Sequence, residues 1–239
     1  MIDPTAIFLR AQQVWAARVV PPYESFRIPC EQTFLTSQCA AGDVVAFTVR
    51  MSDGRTFAQT VPANGAAAKV LLRGAFITGP AGTPLGFYRV LPETEATPAS
   101  RPPNLAPDPL QTIATVTANA NAYEIALAGE ESVDGRQCYH LKLRPRGDPD
   151  RFALRELWVE EASFEVVALI YDRPYNERDT WASVRYRFAP VGTAHVWTIV
   201  HIDAEAIVHK MLSNTTGRIA DDLSDIDFPP SVPDSYFEP

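Results

Sequence analysis

The sequence predicts a mainly β fold with one N-terminal helix, and three observations carry that prediction. Short runs of alternating apolar and polar residues recur along the chain, bounded by turn signals such as Asp53-Gly54, Asn64-Gly65 and Asp134-Gly135. The chain holds 21 prolines, which cannot donate to a ladder and so belong in turns, edges and loops. No βαβ alternation is present, which excludes a parallel doubly wound sheet. What remains is a sandwich, a barrel or a strongly curved antiparallel sheet.

The helix comes first. Asp3 suits the cap and Pro4 the first helical position. Ile7, Phe8, Ala11, Val14, Trp15 and Arg18 fall at helical spacing, and Val19-Val20-Pro21-Pro22 ends the run. The prediction is a helix over 4–18, laid on a sheet and closed by a snorkelling Arg18. Residues 23–30 and 32–41 read as strands. Residues 44–51 alternate cleanly, with Val45, Phe47, Val49 and Met51 on one face, and 56–61 returns after the Asp53-Gly54 turn. Residues 69–78 and 85–91 are further strand candidates. The segment 93–109 carries Pro98, Pro102, Pro103, Pro107 and Pro109 and reads as a long loop, a lid or binding loop by its length. Residues 112–118 are a strand candidate.

The stretch 123–175 is the most legible. In 123–127 Tyr123, Ile125 and Leu127 alternate with Glu124 and Ala126, and in 137–143 Tyr139, Leu141 and Leu143 oppose Cys138, His140 and Lys142. Residues 152–160 and 164–171 form the next pair, the second apolar enough to be covered on both faces. Residues 180–188 and 194–202 alternate too. Residues 205–213 fit either a helix or a strand, and an acidic segment (Asp221, Asp222, Asp225, Asp227) leads into an extended tail.

A length of 239 residues fits one domain over 1–239, with enough chain to bury a real core. The formal net charge of −8 argues against nucleic acid or an anionic membrane surface as partner. No run of about 18 apolar residues is present, so no transmembrane helix is expected. Met1-Ile2-Asp3-Pro4 lacks the basic start of a secretory signal, and at face value the chain stays in the cytoplasm. A monomer is expected.

The sequence carries no G-x-S-x-G, H-E-x-x-H, C-x-x-C, P-loop or G-x-G-x-x-G. His140, His195, His201 and His209 are the only histidines. His195 and His201 share parity on one predicted strand, about 20 Å apart, too far to ligate one metal. Asp148-Pro149-Asp150 is a plain turn sequence, although its carboxylates could meet a cation. Around it, Arg144, Arg146, Arg151 and Arg155 read as a solvated ion-pair surface with Asp148, Asp150 and Glu156, with an anion site as the sharper alternative. Cys30, Cys39 and Cys138 fit no zinc motif. Cys30 and Cys39 are spaced for a bridge across a hairpin, and otherwise all three act as small hydrophobes.

The run Gly129-Glu130 to Gly135, then Tyr139-x-Leu141-x-Leu143, then Leu157-Trp158-Val159-Glu160 before an apolar return strand, resembles the outer-membrane lipoprotein-sorting (LolA-like) superfamily, in an uncharacterised branch. The resemblance implies an open half-barrel: a single strongly curved antiparallel sheet of about ten or eleven strands, its concave face covered by the N-terminal helix and a loop or short helix. It also implies an apolar cavity for a lipid, an acyl chain or a lipoprotein, and a periplasmic or otherwise exported location. Phe8, Trp15, Phe47, Tyr139, Leu141, Trp158 and Tyr186 are the expected lining, with core packing as the alternative for each. The function expected is non-enzymatic binding, with no cofactor and no metal. The alternative is a regulatory module that senses a protein partner without carrying lipid.

Overall fold

The computed structural model describes residues 3–32, 39–52, 55–75, 123–147, 154–176, 180–210 and 213–238. The strands expected at 85–91 and 112–118, the Pro-rich loop 93–109, the Asp148-Pro149-Asp150 turn and most of the strand expected at 32–41 lie outside these residues.

The helix, α1, runs Pro4–Ala16. Asp3 adopts extended backbone and its Oδ1 accepts from the Thr5 N–H at 2.9 Å, satisfying one of the orphan donors of the first turn. Twelve strands follow among the described residues: β1 Tyr23–Pro29, β2 Val44–Arg50, β3 Thr56–Val61, β4 Val70–Ala75, β5 Tyr123–Val133, β6 Arg136–Pro145, β7 Leu154–Glu160, β8 Val166–Asn176, β9 Thr180–Val191, β10 Val196–Lys210, β11 Ser213–Asp222 and β12 Ser224–Asp227. The fold is mainly β and antiparallel with one N-terminal helix, as the sequence predicts.

The ladders form two sheets where one was expected. The first has the order β12-β1-β2-β3-β4 and the second β11-β10-β9-β8-β7-β6-β5, and neither closes on itself. Among the described residues, the chain passes directly from one sheet to the other at Leu223. β11 pairs with β10, the strand breaks at Leu223, whose N–H donates to the Val200 carbonyl at 2.9 Å, and β12 then pairs with β1. The open, curved arrangement is thus a ladder handed from one sheet to the other.

Four local expectations change. Cys30–Gln32 is a single 3-10 turn rather than the start of a strand. Residues 205–210 continue β10, and the acidic segment forms the end of β11 and all of β12. β5 runs beyond Leu127 to Val133, across a bulge between Leu127 and Gly129. His195 lies in the turn before β10, with φ 49° and its N–H on the Gly192 carbonyl, so it shares no strand with His201. A further bulge between Ile199 and His201 shifts the alternation read for 194–202, and Ile199 and Ile202 are both buried.

One core holds side chains from the helix and both sheets. Ile7, Phe8, Ala11 and Trp15 of α1 meet Phe26, Ile28, Val45, Phe47 and Val49 of the first sheet and Tyr139, Leu141, Leu157, Val184, Tyr186 and Phe188 of the second. The side of the sheets that carries this core is the inner face. Each large side chain buried there contributes roughly 1.5–3 kcal/mol of transfer free energy. A smaller cluster of Val133, Cys138, Trp158, Val167 and Ala168 sits apart from it, on the outer face of the second sheet. Cys30 and Cys39 are joined in a disulfide with their Cα atoms 6.3 Å apart.

Candidate functional site

The candidate site is the inner face beneath α1. Six of the seven residues expected to line it come together there: Phe8, Trp15, Phe47, Tyr139, Leu141 and Tyr186 belong to the common core. Strand alternation explains the seventh. Leu157 and Val159 point inward, so Trp158 between them points outward, into the small outer cluster. The aromatic rings make specific contacts. Trp15 meets Phe188 edge-on at 5.1 Å, and Phe26 stacks on Phe47 at 5.3 Å.

The helix is fastened at its far end by a charge. Arg18 Nη2 lies 2.5 Å from Glu165 Oε2, and the Nε of the same guanidinium donates to that oxygen at 2.9 Å. The guanidinium carbon sits 3.7 Å from the Trp15 ring centre and 5.2 Å from that of Trp197. Burial works against the Arg18 charge and lowers its pKa, while Glu165 acts in the opposite direction. A paired and stacked guanidinium is how a cation is accommodated at the edge of an apolar core.

Sequence reasoning missed the polar groups buried in this region. Glu24 is almost fully buried on β1, on the same face as Phe26 and Ile28, and Thr198 Oγ1 of β10 donates to its Oε1 at 2.6 Å. The bond crosses from the first sheet to the second. Burial pushes the Glu24 carboxyl up to about 8, the Thr198 hydroxyl opposing in part, so at neutral pH the group is held mostly as the neutral acid. The available signal was its parity: a Glu at an inward position of an alternating strand. Asp221 of β11 is also buried, and burial together with the neighbouring Asp222 raises its carboxyl to about 6.

The histidines lie elsewhere. His140 projects from the outer face between two carboxylates, with Nε2 2.6 Å from Glu156 Oε2 and Nδ1 3.0 Å from Glu131 Oε1. His201 Nδ1 is 2.6 Å from Asp222 Oδ1. Cys138, two positions from His140, is buried, and burial with the nearby Glu160 carboxylate raises its thiol to about 11, which suppresses the thiolate. Among the described residues no group of three or more His, Cys, Asp or Glu is arranged to hold a metal. Of the groups expected around residue 148, Asp148, Asp150 and Arg151 lie outside the described residues, while Arg146 donates to the Tyr123 carbonyl and Arg155 to the Leu154 carbonyl. No described helix is long and apolar enough to cross a membrane.

The architecture is that of an open, antiparallel β protein with a helix on its inner face. No protein-family model matches the sequence, and no curated protein sequence does. Solved structures resemble it along the whole chain. A DUF1329 family protein from Desulfovibrio piger is 14% identical with a TM-score of 0.38, covering 99% of this chain and 98% of that one. A LolA superfamily protein from Nitrosomonas europaea is 15% identical with a TM-score of 0.35, covering 100% and 99%. An outer membrane lipoprotein-sorting protein domain from Vibrio parahaemolyticus is 10% identical with a TM-score of 0.34, covering 98% and 97%.

Proposed function

We propose that the protein is a non-enzymatic binding protein of the cell envelope whose inner face receives an apolar chain, from a lipid, an acyl group or a lipoprotein. The supporting observation is the way the core is covered. A single helix of thirteen residues supplies Ile7, Phe8, Ala11 and Trp15 to a face built by both sheets. Displacing that helix, whose Arg18 is paired with Glu165, would leave an apolar surface open to a ligand that binds by area burial. Phe8, Trp15, Phe47, Tyr139, Leu141 and Tyr186 would then contact the ligand, while Trp158 would not.

Titration of the delipidated protein with an environment-sensitive fluorescent fatty acid tests this, with native mass spectrometry of the same sample as the direct readout. Saturable uptake, competed by phospholipid and weakened in Tyr186→Ala, is expected. Folded protein that takes up neither the probe nor any co-purifying lipid would overturn the proposal and leave the protein-sensing module as the reading. The envelope location is tested separately, by fractionating cells that express the chain from its native locus.

A further inference from the structure

The outer face of the first sheet holds a socket that the inner-face reading does not use. Tyr23 of β1 and Arg50 of β2 are register partners on that face, opposite in parity to the inward pair Glu24 and Val49. Phe57 of β3 shares the face: its neighbour Ala58 belongs to the common core, while Phe57 is buried outside it. The cover comes from residues 234–237. Tyr236 stacks on Phe57 with ring centroids 4.1 Å apart, and Phe237 stacks on Tyr23 at 5.8 Å. The Arg50 guanidinium carbon lies 4.9 Å from the centre of the Phe237 ring, and Arg55 Nη1 donates to the Phe237 carbonyl at 3.1 Å. Gly74 of β4 approaches that carbonyl so closely that a Cβ would sit 2.3 Å from its oxygen. Phe237 is fully buried as a result.

Residues 234–237 sit on the sheet as a ligand sits in a site. They form a single 3-10 turn whose backbone donors bond within the turn, Tyr236 to the Pro233 carbonyl and Phe237 to that of Asp234, so strand pairing does not hold it. The connection from β12 has no regular structure and carries Pro229, Pro230 and Pro233, which offer no N–H to a neighbouring strand. The turn is fastened through two stacked rings, a guanidinium over a ring and a guanidinium on a carbonyl, which is the anchor chemistry of peptide recognition. The charges also match, since Asp234 and Glu238 flank the rings while Arg50 and Arg55 belong to the socket. We propose that this socket binds a peptide segment of a partner protein that carries adjacent aromatic residues among acidic ones, and that residues 234–237 occupy it in cis as a competitor. A partner's segment makes the same stacks and the same carbonyl bond. Its apparent affinity is reduced by the fraction of molecules whose own turn is docked.

The experiment offers the full chain a fluorescein-labelled peptide of residues 228–238, blocked at both ends, and reads binding by anisotropy. Phe237→Ala in the protein removes the cis anchor and leaves the socket, so it should bind the peptide roughly tenfold or more tightly than wild type does. Tyr236→Ala serves in its place if Phe237→Ala does not fold. The same Phe237→Ala change made in the peptide should weaken binding by roughly tenfold or more. Adding Gly74→Ala to the Phe237→Ala protein should remove binding while the far-ultraviolet circular dichroism stays unchanged, and Arg55→Met is the second lesion of the socket. Equal binding by wild type and the Phe237→Ala protein overturns the proposal, as does binding that ignores Phe237 in the peptide. No binding to the folded Phe237→Ala and Tyr236→Ala proteins overturns it too. A dimer of the wild-type chain that exchanges this turn between copies, seen by light scattering in place of peptide uptake, would assign the socket to a second copy and overturn the partner reading.

Discussion

At the scale of single residues, two positions bear on the inner face and its surroundings. Glu24 is buried between the sheets with its carboxyl raised to about 8 from an ordinary value of 4.5. The folded state therefore holds a proton that the unfolded chain releases between those values. Its contribution to stability is fully present below pH 4.5 and is lost as pH rises through about 8. Glu24→Gln, which is neutral and keeps the Thr198 bond, should match wild type at pH 4 and exceed it at pH 8.5 by on the order of a few kcal/mol. Denaturant melts at both pH values check the sign. Gly74 is the second position. Its φ is +61°, and a Cβ there would sit 2.3 Å from the Phe237 carbonyl oxygen. Phe237 is fully buried, stacked on Tyr23 at 5.8 Å, and its carbonyl accepts from Arg55 Nη1. Gly74→Ala is expected to cost roughly 1–3 kcal/mol and to make the tail accessible to limited proteolysis while both sheets stay intact. Neither site was legible beforehand. A buried Glu looks like any other Glu until the sheet that faces it is known, and Gly74 has meaning only through a residue far along the chain.

At the scale of elements, α1 is both the best-read piece and the one on which the proposed function depends. Its cap, its stripe and its Arg18 all follow from local spacing, which is why sequence reasoning placed it to within two residues of its observed end. The partner of Arg18 was not readable, because Glu165 belongs to the other half of the chain. Phe8→Ala removes a fully buried side chain of the common core and should cost about 3–5 kcal/mol in a chemical melt. Arg18→Met keeps the stem over Trp15 and removes the charge that Glu165 balances. It should raise the rate of fatty-acid probe uptake if the helix is a cover, and leave it unchanged if the inner face is a filled core. The hairpins from β5 to β9 were legible because their turns and alternation agree. β10 to β12 were obscured by the bulge at residues 199–201 and by aspartates spread along β11 and β12. Exposed strand positions tolerate charge, so an acidic run reads as a loop. Trp158 was assigned to the wrong face for a related reason: an aromatic in a strand is apolar on either side, and only its neighbours' parity tells which.

At the scale of the whole molecule, the disulfide braces the connection from β1 to β2 within the first sheet, and the strand exchange at Leu223 ties that sheet to the second. Cys30 and Cys39 are joined across a sequence separation of 9, so replacing both by Ser should cost about 2–3 kcal/mol in the chain-entropy account, measured as a lowered denaturation midpoint. The mainly antiparallel class was readable from turn signals, but the division into two sheets was not, because strands that alternate give no record of which neighbour they pair with. One such pairing shapes how the protein acquires its structure. Arg27 on β1 meets Asp225 on β12 across 198 positions of sequence, and the register of that pair is irregular. While the intervening chain is being made, one edge of β1 stands without its final neighbour, a ready template for the wrong strand. Closure of that edge waits on a contact of very high sequence separation, which slows the search. Refolding should therefore be slow, on the order of milliseconds to seconds. Amides of β1 should be the last to gain protection in pulse-labelled hydrogen exchange, and the yield should fall with protein concentration while that edge is open.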